Sequence, residues 1–175
     1  MTEDSPQNTD NVMNSGLVPT AIQDALKALD KEYENIIFEL EGIIDTYWIK
    51  WREKNKQLRV QRERSTTAVF NEGTIAPRLV TRNTKSYAEW VRYTPGRVGK
   101  KSKTWGTRIN PKRLSNRKGM YYRIDQFEGI AKDWELELIA ETEAKLSPLR
   151  YVAEYVYKAK SDTQQLIKSI VRKGS

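Results

Sequence analysis

From Ile22 to Tyr47 the chain carries apolar side chains at Ile22, Leu26, Leu29, Tyr33, Ile36, Leu40, Ile43 and Tyr47, in alternating steps of four and three. An α-helix places such positions on a single stripe, and a heptad pattern sustained this long demands a surface to pack against. Ile37, Ile44, Trp48 and Trp51 widen the stripe beyond a narrow coiled-coil seam, so the helix must meet more than one neighbour. The same seam suits pairing with a second copy, which makes a homo-oligomer through it an open expectation. Gly42 sits inside the pattern at a cost of about 1 kcal/mol relative to Ala. Pro19 suits a first helical turn, where its missing N–H forfeits no internal bond. Beyond Trp51 the run turns basic, through Arg52, Lys54, Lys56, Arg59, Arg62 and Arg64. These signals predict one helix over 19–64, about 65 Å long at the α-helical rise.

The flanking segments read differently. Residues 1–18 are Ser, Asn, Thr, Asp and Gln with almost nothing to bury, and are expected to be a disordered tail. Between 66 and 123 the helical period vanishes. Short β-favouring runs at 66–70, 75–81, 86–93 and 102–109 alternate with turn residues at 71–73, 82–84 and 94–99. They predict an antiparallel meander of three or four strands, with Pro77 confining its run to an edge or a bulge. Helical signals resume at 125–172. Asp125 with Glu128 resembles a capping box; Phe127, Ile130, Ala131, Trp134, Leu138 and Ala144 with Leu146 form an apolar face, and Leu149, Val152, Ala153 and Val156 carry it onward. Breaks are expected at Ser147-Pro148 and again at Ser161-Asp162-Thr163.

The expected fold class is therefore α+β. A long N-terminal helix, a small antiparallel meander and C-terminal helices packing back on the first helix give an α-β-β-β-α order, read as one domain over 19–172.

Charge is concentrated rather than spread. From Gly73 to Arg123 there are fourteen Lys or Arg against a single acid, Glu89, in a chain whose net charge is +8. A cationic block of that density repels itself unless a polyanion receives it, and nucleic acid is the usual one. Tyr87, Trp90, Tyr93 and Trp105 lie within the block. Strand alternation puts Tyr87, Glu89, Val91 and Tyr93 on one side and Ala88, Trp90 and Arg92 on the other. The expected phosphate contacts are the loop cations Arg97, Lys100, Lys101, Lys103, Lys112, Arg113, Arg117 and Lys118, with Arg92 and Arg108 for groove contacts.

Other chemistries find little support. The chain has no Cys and no His, which removes disulfides, thiolate metal sites and the commonest general base. Glu135, Glu137, Glu141 and Glu143 form an acidic run that reads as a solvated helix face. A carboxylate-dependent nuclease built on it would need a second acidic cluster that the chain lacks. No nucleotide-binding glycine motif is present, and neither cofactor nor metal is expected. No apolar run is long enough to span a bilayer and the N-terminus does not read as a signal peptide, so a cytoplasmic, non-enzymatic protein is expected. A coiled-coil scaffold that docks an acidic protein partner through its basic block is the alternative from a different class.

Two stretches carry a family resemblance. Tyr47-Trp48-Ile49-Lys50-Trp51-Arg52-Glu53-Lys54-Asn55 and Phe127-Glu128-Gly129-Ile130-Ala131-Lys132-Asp133-Trp134-Glu135-Leu136-Glu137-Leu138 resemble the MobI family of conjugative transfer proteins. The likeness extends over roughly residues 25–155, in the same order of Trp-rich helix, basic β-like middle and acidic helix. It implies an accessory factor of conjugation that acts at the transfer origin on double-stranded DNA, beside a relaxase or other transfer proteins. It assigns no residue to DNA.

Overall fold

The computed structural model describes residues 18–65, 71–95, 109–116 and 120–174. Their element order is α1 (Thr20–Arg64), β1 (Ile75–Arg82), β2 (Lys85–Pro95), β3 (Ile109–Arg113), a short 3-10 turn (Ile124–Gln126) and α2 (Asp133–Gly174). This is the α+β arrangement expected, with a long first helix, a three-stranded antiparallel sheet in the order β1-β2-β3, and a C-terminal helix packed on the first. The chain divides into two compact units, one holding 36–152 and the other the two chain ends. No helix among the described residues is long and apolar enough to cross a membrane.

Helix α1 opens where the Pro19 carbonyl accepts the Ile22 and Gln23 amides, and ends on Arg62 and Arg64, whose charges oppose the dipole of the last turn. Its heptad seam is filled inside the chain. Tyr33, Ile36, Leu40 and Tyr47 are buried, so this part of the seam has no face left for the homo-oligomer expected from it. In the unit of chain ends, α1 and α2 run antiparallel. Tyr33 meets the Tyr157 ring at 5.5 Å, and Asp30 pairs with Lys160 at 2.5 Å.

The larger unit holds the sheet. β2 is central; Pro77 and Pro111 fall on the two edge strands, where a missing N–H costs no ladder bond, and Pro95 is the last residue of β2. The β1–β2 hairpin turns through Asn83 and Thr84, both at positive φ (49° and 67°), a primed two-residue turn that keeps the strands' right-handed twist. Helix α1 covers the β1 edge. Tyr47 Oη donates to the Ile75 carbonyl at 2.7 Å, and Trp48 Nε1 to the Pro77 carbonyl at 3.0 Å. Trp90, fully buried on β2, packs edge-on against Tyr47 (5.2 Å) and Phe127 (5.4 Å).

Three local expectations are corrected. The stretch around 110–119, read as a basic loop, contains β3. The segment after Asp125 is not the start of a helix but a 3-10 turn, closed by Gly129 at φ 78°, and Asp125 pairs with Arg123 instead of capping. The helix begins at Asp133, and there the Glu135 carboxylate reaches back to the Lys132 N–H at 3.1 Å, the side-chain half of a capping box. Finally, α2 runs without interruption through Pro148 and 161–163. Buried Ile139, Leu146 and Ala153 hold it on either side of the proline. Thr163 stays helical by donating its hydroxyl to the Ala159 carbonyl at 2.8 Å. The runs at 66–70 and 102–108, and the tail 1–17, lie outside the described residues.

Candidate nucleic-acid interface

The sheet has two unlike faces. Pairing of Ile75 with Arg92, Pro77 with Trp90 and Leu79 with Ala88 puts Ile75, Pro77, Ala88 and Trp90 together on the side that meets the helices. The other side carries Arg78 opposite Glu89, Val80 opposite Tyr87 and Arg82 opposite Lys85, with Arg113 of β3 opposite Val91. Glu89 organises that side. Its carboxylate is 1% exposed and takes hydrogen bonds or ion pairs from Arg78 (2.7 and 2.9 Å), Arg82 (2.9 and 3.0 Å) and Arg113 (3.1 Å). Burial alone would raise the Glu89 pKa. The hydrogen bonds and charges of Arg78 and Arg82 outweigh it and hold the group below its ordinary value, so the carboxylate stays ionised.

One negative charge against three guanidiniums leaves this patch cationic. The carboxylate occupies only part of each guanidinium's five N–H donors. Arg113 remains 55% exposed and Arg82 40% exposed, so both have donors facing water. Tyr87 lies beside them, with Arg82 at 5.6 Å and Lys85 at 5.3 Å over its ring. A second cationic contact lies near the β2–β3 edge, where Arg92 and Lys112 are direct cross-strand partners. Like charges at that spacing oppose pairing, and the Arg92 Nε is buried without a hydrogen-bond partner.

Of the residues expected to contact nucleic acid, Arg92, Lys112 and Arg113 are on β2 and β3, and the structure brings Arg92 to Lys112 and Arg113 to Glu89. Arg97, Lys100, Lys101, Lys103, Arg108, Arg117 and Lys118 lie outside the described residues. Sequence reasoning passed over Arg78, Arg82 and Lys85. A signal for Arg78 was present, because counting outward from the Asn83-Thr84 turn sets it opposite the only acid of the block. Among the interleaved aromatics, Trp90 belongs to the core and Tyr93 packs on Trp48 at 5.4 Å, while Tyr87 shares the arginine face.

The acidic run on α2 is also redistributed. Glu135 and Glu143 do not belong to a solvated face; both are buried and saturated with donors. Glu135 accepts from Trp51 Nε1 (3.1 Å), the Ile75 amide (2.9 Å) and the Lys132 amide. Glu143 forms a two-pronged ion pair with Arg150, each prong 2.7 Å, and accepts from Trp90 Nε1 and the Tyr122 amide. Arg150 completes the clip by donating to the Ala88 and Met120 carbonyls. Glu141 is exposed and pairs with Lys50 and Lys145. Their oxygens are committed in this way to structural donors, and the described residues hold no group of three or more His, Cys, Asp or Glu side chains that could hold a metal ion.

The model of one protein family, MobI protein, matches residues 36–164, about three quarters of the chain and all of the unit that carries the sheet. The chain belongs to the MobI family. This membership agrees with the resemblance carried by its two Trp-rich stretches and makes the chain a mobilisation-related protein. The MobI match includes Glu89, all three of its arginines and the buried Glu135 and Glu143. No curated protein and no solved structure matches the chain.

Proposed function

We propose that this MobI protein is a non-catalytic DNA-binding accessory of conjugative transfer, acting on double-stranded DNA at the transfer origin beside a relaxase, in the cytoplasm. The observation that carries the reading is the Glu89 cluster. A protein that needed Glu89 only to neutralise one neighbour would not gather three arginines on one carboxylate, two of them half-exposed. Held at a common anchor, the guanidiniums lose less side-chain entropy when they meet phosphate oxygens, and each retains N–H donors suited to bidentate contact. The expected contacts at Arg92, Arg97, Lys100, Lys101, Lys103, Arg108, Lys112, Arg117 and Lys118 stay in the reading because they belong to the same basic stretch of the sequence. Saturation of Glu135 and Glu143 by structural donors supports a binding role over a carboxylate-dependent nuclease.

The test is fluorescence anisotropy with a labelled duplex that carries the transfer origin of the encoding element, against a scrambled duplex, across a salt series. If about six phosphates are neutralised, log affinity falls against log salt with a slope of about −5. The Arg82→Ala/Arg113→Ala double variant keeps Arg78 on Glu89 and should fold. It is expected to bind more weakly, with a slope shallower by about 2. Replacing Lys100, Lys101 and Lys103 with Ala should act in the same direction. A folded double variant with full affinity and the original slope would remove the sheet face from the reading, and failure of any duplex to bind would remove DNA.

A further inference from the structure

The face of α1 turned away from the sheet carries a second feature. Leu40, Ile44 and Tyr47 point into the core, whereas Phe38 and Ile49 on the far side are 78% and 68% exposed. Between α1 and α2 this side opens into a groove of about 370 Å³, walled by Phe38, Gly42, Ile43, Thr46 and Tyr47 of α1 and Thr142 of α2. At Gly42 the wall is bare, since a Cβ there would meet no atom within 4 Å. A partner backbone can therefore approach α1 more closely at this point than over any larger residue.

The groove is lined by two acids, Glu39 and Glu141, and two bases, Lys50 and Lys145, whereas the exposed stripe of α1 beside it is opposite in sign to the chain. From Ile36 to Ile49, α1 carries Glu39, Glu41 and Asp45 and no base, in a protein of net charge +8. These three acids form no ion pair among the described residues. The two lysines at the groove, Lys50 and Lys145, are both committed to Glu141, at 3.1 and 2.9 Å. Helical spacing puts Phe38, Gly42, Asp45 and Ile49 on one stripe, with Glu39 and Glu41 on its two flanks. An exposed apolar stripe edged with acid repels nucleic acid and selects a basic partner.

We infer that this groove docks a cationic amphipathic helix from a partner protein. Its apolar residues at i and i+3 or i+4 fill the space over Gly42, and its Lys or Arg residues face Glu39, Glu41 and Asp45. The inference is independent of the DNA reading, because the groove and the Glu89 cluster share no residue.

The probe is an 18-residue labelled peptide of Leu and Lys at helical period, with a Leu and Glu peptide of the same pattern as control. A chain of this net charge repels a cationic peptide except where acid is concentrated, so binding of the Lys peptide in preference to the Glu peptide supports the proposal. Gly42→Trp fills the groove without changing charge and, given the space at that position, leaves the fold intact. It should abolish binding. Glu39→Lys/Asp45→Lys should weaken it by about tenfold or more, the scale of one engaged charge pair. Equal binding of both peptides, or unchanged binding by a folded Gly42→Trp variant, would overturn the proposal. Sedimentation of the chain alone closes the remaining route: a wild-type dimer that Gly42→Trp converts to monomer would assign the groove to a second copy and overturn it as well.

Discussion

Gly73 and Gly42 should respond to the same substitution with opposite signs. A Cβ built on Gly73 would lie 2.2 Å from Oε1 and 2.5 Å from Cδ of Glu135, and 2.7 Å from Cζ2 of Trp134. None of these atoms is free to retreat. Oε1 holds the Trp51 indole and the Ile75 amide, and Oε2 holds the first turn of α2. Trp134 is tethered through Nε1 to the Asn71 carbonyl, and the Gly73 amide itself donates to Asn55 Oδ1 at 2.7 Å. Room for the methyl group therefore requires the Glu135 carboxylate to give up at least its two Oε1 bonds. Hydrogen bonds to a buried charged group are each worth about 1.5–3 kcal/mol, so Gly73→Ala should cost about 3–6 kcal/mol. On a chain of this size that lowers the melting temperature by about 10 °C.

Gly42→Ala meets nothing within 4 Å and gains only helix propensity, about 1 kcal/mol in favour of the folded state. Thermal melts followed by circular dichroism, with calorimetry to check two-state behaviour, measure both variants against the wild type. A Gly73→Ala variant within about 1 kcal/mol of wild type would show that Glu135 relocates cheaply. Its bonds to the Trp51 indole and the Ile75 amide would then contribute little to stability.

Two further outcomes follow from the buried charges. Glu89 has a folded-state pKa below its unfolded one, so its contribution is present above the ordinary carboxylate range and is lost as pH falls through the folded value; the stability gap between wild type and Glu89→Gln should close on acidification, and a gap constant from neutral to strongly acidic pH in denaturant titrations would contradict the assignment. Arg150→Ala leaves the Glu143 carboxylate buried without its partner and should cost about 3–5 kcal/mol, read from urea midpoints, whereas a cost below about 1 kcal/mol would mean that water replaces the guanidinium.

How far these features were legible in the chain depends on whether the residues obeyed an apolar period. Helix α1 was expected over 19–64 and spans Thr20–Arg64, because its heptad is written in Ile, Leu and Tyr. β1 and β2 lie within a few residues of the runs at 75–81 and 86–93, since a clear turn separates them. β3 was hidden because Pro111 and its basic neighbours have the composition of a loop; only its position at the sheet edge makes the proline harmless. On α2 the expected stripe was right at Leu146 and Ala153, which are buried, and missed the charged positions between them and before them. The helix's buried positions include Glu135, Ile139, Glu143, Leu146 and Ala153, with the guanidinium of Arg150 among them, so three charged residues share the core face. A pattern that counts only apolar residues passes over them and selects the half-buried Trp134 and Leu138 instead.

The same blindness hid most of the candidate interface. Glu89 was visible as a lone acid among fourteen cations, but a charge count alone cannot distinguish a solvated anomaly from a buried anchor. That distinction rests on register. Once the Asn83-Thr84 turn is taken as the origin, Arg78 falls opposite Glu89, and Arg82 falls opposite Lys85 on the same face. Arg113 joins them only through the pairing of β3 with β2, a contact that no local signal announces. A buried acid on a cationic strand is therefore informative in proportion to the basic residues that the register brings to it, and here three converge. That convergence makes the sheet a better place to look for DNA contacts than the basic end of α1, where Arg62 is already drawn to the buried Glu72 at 3.0 Å.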